Sequence, residues 1–213
     1  MRLFTYFRSS AAWRVRIALA LKGVPWTPEF VHLLRAGGDQ LRPEYRAVNP
    51  TALVPTLETD GGARLIQSLA IIEWLEETYP TPPLLPAEPL ARARVRGFAL
   101  TIACEVHPLN NLRVLRYLKH ELDQPDAARD RWYAHWIGEG LTALEAMLGG
   151  QPGPFCFGDA PGLADVCLVP QLANARRVNC PLDAYPTLLR AESTALARAE
   201  FRDTAPEKQP DAG

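Results

Sequence analysis

The chain has few of the features that tie a sequence to a metal, a nucleic acid or a membrane. It contains only four cysteines, Cys104, Cys156, Cys167 and Cys180, with no Cys-x-x-Cys pair and no histidine at ligand spacing. That pattern points away from a zinc site or a dithiol redox centre and toward reduced, packed thiols. Neither charge sign dominates, because 23 Lys and Arg oppose 24 Asp and Glu for a formal net charge of −1. No basic field is available for counterion release on DNA or RNA. No apolar run approaches the roughly 20 residues that span a bilayer, and the apolar part of MRLFTYFRSS is too short for a signal-peptide core. Taken together, these absences predict a cytoplasmic protein without nucleic-acid, membrane or metal partners.

What is present is an ordinary globular composition, 47% apolar and 22% charged over 213 residues, enough for one large or two small cores. Prolines cluster in YPTPPLLPAEP, residues 79 to 89, where they remove backbone donors and block helix continuation. Residues 81–89 are read as a linker between a domain at 1–80 and another at 90–213.

Before the linker, strand and helix signals alternate. Leu3, Thr5 and Phe7 interleave with Arg2, Phe4 and Tyr6 as in a strand. Trp13, Ile17, Ala20 and Leu21 then follow helical spacing up to Gly23 and Pro25. A strand is predicted around Phe30 to Leu33, and a helical or irregular stretch around Leu41 to Val48. VPTLETDGGARLI reads as a hairpin with its positive φ angles at Asp60-Gly61, and Ser68 as the cap of a helix carrying Leu69, Ile72 and Leu75. The predicted order is βαβαββα. After the linker only helices are predicted: a long one bent at Pro108, then Trp132 to Leu148, Leu163 to Val178 and Leu188 to Phe201. The final TAPEKQPDAG reads as a loose tail.

Two predicted helix N-termini, at Ser9-Ser10 and Gln67-Ser68, offer unpaired N–H groups and a positive dipole end suited to an anion. Ser9 and Ser10 both also fit a simple cap. Pro55 in LVPT interrupts a strand-like run.

The stretches YFRSSAAWRVRIALALKG, LVPTLETD, IQSLAIIEWLEE, CLVPQLANARR and QPDA occur in register over nearly the whole chain. Together they resemble the zeta class of glutathione transferases, the class of the maleylacetoacetate and maleylpyruvate isomerases. The resemblance implies an α/β thioredoxin-like N-terminal domain, an all-α C-terminal domain that completes the substrate pocket, glutathione as cofactor, a homodimer and a cis bond before Pro55. It places Ser9 at the glutathione sulfur, with Ser10 as a cap or secondary contact. It places Val54, Pro55, Gln67 and Ser68 on the rest of glutathione, and Arg8 and Arg177 on the carboxylates of an acidic substrate. His107, Asn111 and Arg176 fall on the substrate side, while Arg14, Arg16, Asp159 and Asp165 read as structural.

The implied reaction is isomerisation of maleylacetoacetate to fumarylacetoacetate in tyrosine and phenylalanine breakdown. Maleylpyruvate isomerisation in gentisate breakdown, general glutathione conjugation or dehalogenation, and a non-catalytic binding module stay open beside it. The chain departs from the family pattern twice: Ala11 stands where a cysteine often follows the two serines, and Gly162 stands where a serine or threonine caps a helix.

Overall fold

The first strand is apolar on both faces because it runs inside a sheet. In the computed structural model, which describes residues 1–151 and 153–212, four strands are ordered β2-β1-β3-β4. They are β1 (Arg2–Thr5), β2 (Thr27–Phe30), β3 (Thr56–Glu58) and β4 (Arg64–Ile66). β1 pairs parallel with β2 and antiparallel with β3, and β3 pairs antiparallel with β4. With α1 (Ser10–Leu21), α2 (Pro43–Arg46) and α3 (Ser68–Thr78) the order is βαβαββα, as the sequence predicts. Phe4 and Tyr6 join Val31, Tyr45 and Val54 in one buried cluster, while Leu3 and Thr5, on the other face of the strand, are fully buried as well.

Two local expectations are corrected. The second strand lies at Thr27–Phe30 instead of Phe30 to Leu33, and all four of its residues are exposed. It is an edge strand, which tolerates Pro28; the apolar run beyond it supplies Val31 and Leu33 to the cluster under the sheet. In the hairpin, the positive φ falls on Gly62 (81°) and not on Asp60-Gly61. The Gly62 N–H bonds Thr59 O at 2.9 Å, so a turn over residues 59–62 hands the left-handed position to its last residue.

The chain divides into two compact units, one formed by residues 1–83 with the segment from Arg198 onward, the other by Leu84–Ala197. The C-terminal segment therefore belongs with the sheet. It carries α9 (Ala199–Arg202), whose Phe201 is fully buried. The predicted loose tail is tied down through its described part. Trp13 Nε1 donates to Thr204 Oγ1 at 3.1 Å, Arg16 Nε to Thr204 O at 3.1 Å, and the Phe7 N–H to Asp211 Oδ2 at 2.9 Å. Its polar composition reads as loose because its partners lie about 200 residues away. Gly213 lies outside the described residues.

The second unit is helical, as predicted. It comprises α4 (Pro89–Leu100), a π-helical turn (Thr101–Val106), α5 (Leu112–His120), α6 (Asp126–Leu148), α7 (Leu163–Arg177) and α8 (Pro186–Leu196). The bend expected at Pro108 is a full break that begins a turn earlier. Pro108 cannot donate and its ring crowds the preceding turn, and the His107 N–H bonds Ile102 O at 2.9 Å in the wider π pattern. The helix predicted to run from Leu188 to Phe201 is likewise interrupted at Ala197 and Arg198, giving α8 and α9.

α7 is the centre of this unit, with twelve of its residues buried. Gly162 precedes it, and a Cβ there would lie 2.9 Å from Leu84 O, the acceptor of the Leu163 N–H. That close approach leaves little room at this position for the serine or threonine that the resemblance implies. Half of the cap survives: the carboxylate of Asp165, 1% exposed, accepts the N–H groups of Gly162 and Cys156, each at 2.9 Å. Burial raises the Asp165 pKa against those two bonds, which favour the carboxylate. Asp165→Ala is expected to lower stability by about 2–5 kcal/mol, since it strands one buried and one part-buried donor. A urea midpoint within error of the parent would contradict this role.

Candidate functional site

The extended Ser9 (φ −71°, ψ 113°) opens α1, and its Oγ accepts the Ala12 N–H at 3.2 Å. A hydroxyl has two lone pairs and one proton, so capping engages one lone pair while the proton stays able to donate to an anion. Capping and sulfur binding are thus compatible in one side chain. Ser10 takes the first helical position at 4% exposure. The cap that sequence reasoning left to Ser10 belongs to Ser9, and Ser10 is buried behind it. Arg8, next to Ser9, is exposed.

Val54 and Pro55 precede β3, and the bond between them is cis, the state the resemblance implies. Two side chains hold this loop from behind. Tyr45 OH donates to Leu53 O at 2.7 Å and Asn49 Nδ2 to the same oxygen at 2.8 Å. Both also reach Thr56 Oγ1, at 3.2 and 3.1 Å. Burial raises the Tyr45 pKa, which keeps the phenol a neutral donor.

α3 starts one residue off the expected register. Gln67, not Ser68, is the N-cap residue, at φ 69° and ψ 118° with no side-chain capping bond. Such a conformation costs a non-glycine residue about 1–3 kcal/mol and is concentrated at binding and switch positions. Gln67 is exposed. Ser68 is 7% exposed, and its Oγ accepts from Arg14 Nη1 at 3.4 Å. Arg14, 1% exposed, thus places a cation behind the N-terminus of α3, where dipole and charge both favour an anion.

Arg16, fully buried, grips the chain just before Ser9. It donates to Thr5 Oγ1 at 3.0 Å, Tyr6 O at 3.4 Å and Phe7 O at 3.1 Å. Burial lowers its pKa to about 10, opposed by the nearby carboxylate of Asp211. Both buried arginines are structural, as the sequence reading has them, yet both brace candidate site residues.

The second unit holds the other candidates. Arg176 and Arg177 end α7 and are exposed. Both terminal nitrogens of Arg176 bond Glu192, which is 3% exposed, so its guanidinium is held in a bidentate ion pair. Arg177 instead lies by the phenol of Tyr133, whose pKa is raised chiefly by burial, against Arg177 and a bond with Asn174. Tyr133 and Asn174 were not singled out in the sequence, where their helical spacing looks like core packing. Asn111 caps α5, its Oδ1 accepting the Arg113 N–H at 3.1 Å, and His107 is half-buried after the π turn.

The first unit carries Arg8 and Ser9 at the N-terminus of α1, Gln67 and Ser68 at that of α3, and Val54 and Pro55 just before β3. Arg177, His107 and Asn111 belong to the second. Among the described residues no group of three or more His, Cys, Asp or Glu is placed to hold a metal ion, and no helix is long and apolar enough to cross a membrane.

Residues 8–78 match the family model described as glutathione S-transferase, N-terminal domain, and residues 126–202 match the C-terminal domain of the same family. A maleylacetoacetate isomerase of Pseudomonas aeruginosa is 49% identical over 211 residues, covering 99% of this chain and 98% of that one. A solved holo structure of a maleyl pyruvate isomerase, described as a bacterial glutathione S-transferase of the zeta class, superposes with a TM-score of 0.96 at 44% identity over the full length of both chains. A maleylacetoacetate isomerase from Methylobacterium extorquens, solved with bound malonate and GSH, gives a TM-score of 0.95 at 39% identity, again over both full lengths.

Proposed function

The chain belongs to the glutathione S-transferase family, and from that premise we propose that it is a glutathione-dependent cis–trans isomerase of maleylacetoacetate. The observation that carries the reading is Ser9: a hydroxyl with a proton to donate, at the N-terminus of α1, in a unit that has no cysteine of its own. All four cysteines lie at or beyond position 104, outside the first unit, and in this reading the sulfur arrives with glutathione. The GSH bound in a relative's structure supports that source, and the malonate also bound there supports an acidic substrate.

In this reading Ser9 donates to the glutathione sulfur and stabilises the thiolate. The Val54 backbone, beside Pro55, pairs with the tripeptide. Gln67 and Ser68 hold its γ-glutamyl end, with the carboxylate at the N-terminus of α3 and Arg14 behind it. Arg8 and Arg177 are assigned to substrate carboxylates, and His107 and Asn111 to the substrate side.

The thiolate adds to the conjugated cis alkene, and the electron pair moves into the adjacent carbonyl as an enolate. The former double bond, now single, rotates. Collapse of the enolate expels the thiolate and leaves the trans alkene, so atoms and electrons balance with glutathione regenerated. Arg8 and Arg177 offset the enolate charge.

We assign the protein to the cytoplasm as a homodimer, for which the solution mass should be twice the chain's 23.6 kDa. The reading is tested by following maleylacetoacetate absorbance with and without glutathione, and maleylpyruvate in parallel. Turnover is expected only with glutathione and faster on maleylacetoacetate. Equal rates in its absence would overturn the mechanism, and preference for maleylpyruvate would move the assignment to the second substrate.

A further inference from the structure

The two residues assigned to chemistry at the start of α1 follow directly on a backbone segment held by the far end of the chain. The Phe7 N–H donates to Asp211 Oδ2 at 2.9 Å, and the Phe7 carbonyl accepts from Arg16 Nη2 at 3.1 Å. Tyr6 O accepts from Arg16 Nη1 at 3.4 Å and from the Ser9 N–H at 3.0 Å. Arg16 is fixed in turn by Thr204 O at 3.1 Å, and Thr204 Oγ1 receives the indole N–H of Trp13 in the first turns of α1. Both polar groups of the Phe7 backbone are thus clamped by opposite charges, the anion supplied from 204 residues away. The contacts run to the backbone of Phe7 and through Arg16 to Thr204, a frame around the turn that presents Arg8 and Ser9.

We propose that Asp211 is a positioning residue for the glutathione site, a C-terminal latch that sets the Tyr6–Ser9 turn so that the Ser9 hydroxyl meets the bound sulfur. The proposal rests on the assignment of Ser9 to that sulfur. A carboxylate suits the task because a charge-assisted N–H bond is short and strong, and because the same group faces the buried Arg16 cation. Aim matters because a displacement of about 1 Å from the productive geometry can cost on the order of a hundredfold in rate.

The test uses the full chain as wild type, Asp211→Ala and Asp211→Asn, with bound glutathione titrated by its ultraviolet thiolate absorbance and kcat/KM measured across pH. Asp211→Ala is expected to raise the midpoint of the bound thiol by about one pH unit, giving roughly a threefold loss of kcat/KM at neutral pH that grows toward about tenfold at lower pH. The loss is recovered above the new midpoint. Asp211→Asn keeps an acceptor for the Phe7 N–H without the charge and is expected to fall between the two. Amide exchange at Phe7 and Ser9 should accelerate in Asp211→Ala.

An unchanged thiol midpoint in Asp211→Ala, or a loss of rate that is the same at every pH and follows a fall in Tm, would overturn the positioning role. Absence of a thiolate band in the wild type would instead overturn the assignment of Ser9 itself, a failure that the variants alone do not produce.

Discussion

Replacing Ser9 with alanine is expected to cut turnover at neutral pH by about tenfold while the protein stays folded. A free thiol titrates near 8.5, so only a few per cent is thiolate at pH 7, and lowering its pKa by two units takes about 2.7 kcal/mol. A hydrogen bond to a charged group supplies about 1.5–3 kcal/mol, and the N-terminus of α1 about 0.3–2 kcal/mol more. Ser9→Ala removes the first and keeps the second. Most of the thiolate at neutral pH is lost, and the rate recovers as pH rises through the range of the free thiol.

The same change removes the cap on Ala12, which costs about 1 kcal/mol of stability. That cost is small against a typical total of 5–15 kcal/mol. Kinetics across pH and a urea melt on one preparation separate the two effects. Full activity at pH 7 would sink the role of Ser9.

Arg16→Met is expected to destabilise the protein by about 3–5 kcal/mol, because it leaves several oxygens without the charged donor they bond. Methionine fills much of the space but donates nothing. Thr5 Oγ1, Tyr6 O, Phe7 O and Thr204 O each lose a guanidinium donor, and Asp211 loses the cation beside it. Arg16→Lys should not rescue stability, because an ammonium cannot reproduce the planar fork that reaches separate acceptors. A stability change under about 1 kcal/mol for Arg16→Met, read from denaturant midpoints, would show that water or another donor takes over and that the guanidinium is dispensable.

The limits of sequence reading appear at particular residues. The order of elements was legible because turn and cap signals fall between periodic runs: Gly23 ends α1 at φ 64°, and β3 and β4 pair as the antiparallel hairpin. Adjacent serines were not resolved. Ser9 and Ser10 are the same residue type, and only the backbone decides that the extended Ser9 is the cap. The same applies to Gln67 and Ser68, where composition favours serine and the structure puts glutamine at φ 69°.

Long-range pairs were illegible for another reason. Nothing near Arg176 marks Glu192 as its partner, and nothing in QPDA marks Phe7 as the group that Asp211 holds. Both sites carry ordinary surface chemistry in sequence and acquire their meaning only when the chain closes. Gly162 is a third case, a missing cap in sequence that the structure turns into room for the Leu84 carbonyl.

The claim that glutathione serves as a coenzyme, and is not consumed, is tested most directly by counting turnovers per glutathione. Maleylacetoacetate is supplied in large excess over glutathione, with the trans product and free thiol followed together. Many product molecules per glutathione, with free thiol constant at the end, is the expected result. Reaction that stops after one equivalent, with thiol lost in step with substrate, would contradict the isomerase and identify a conjugating transferase.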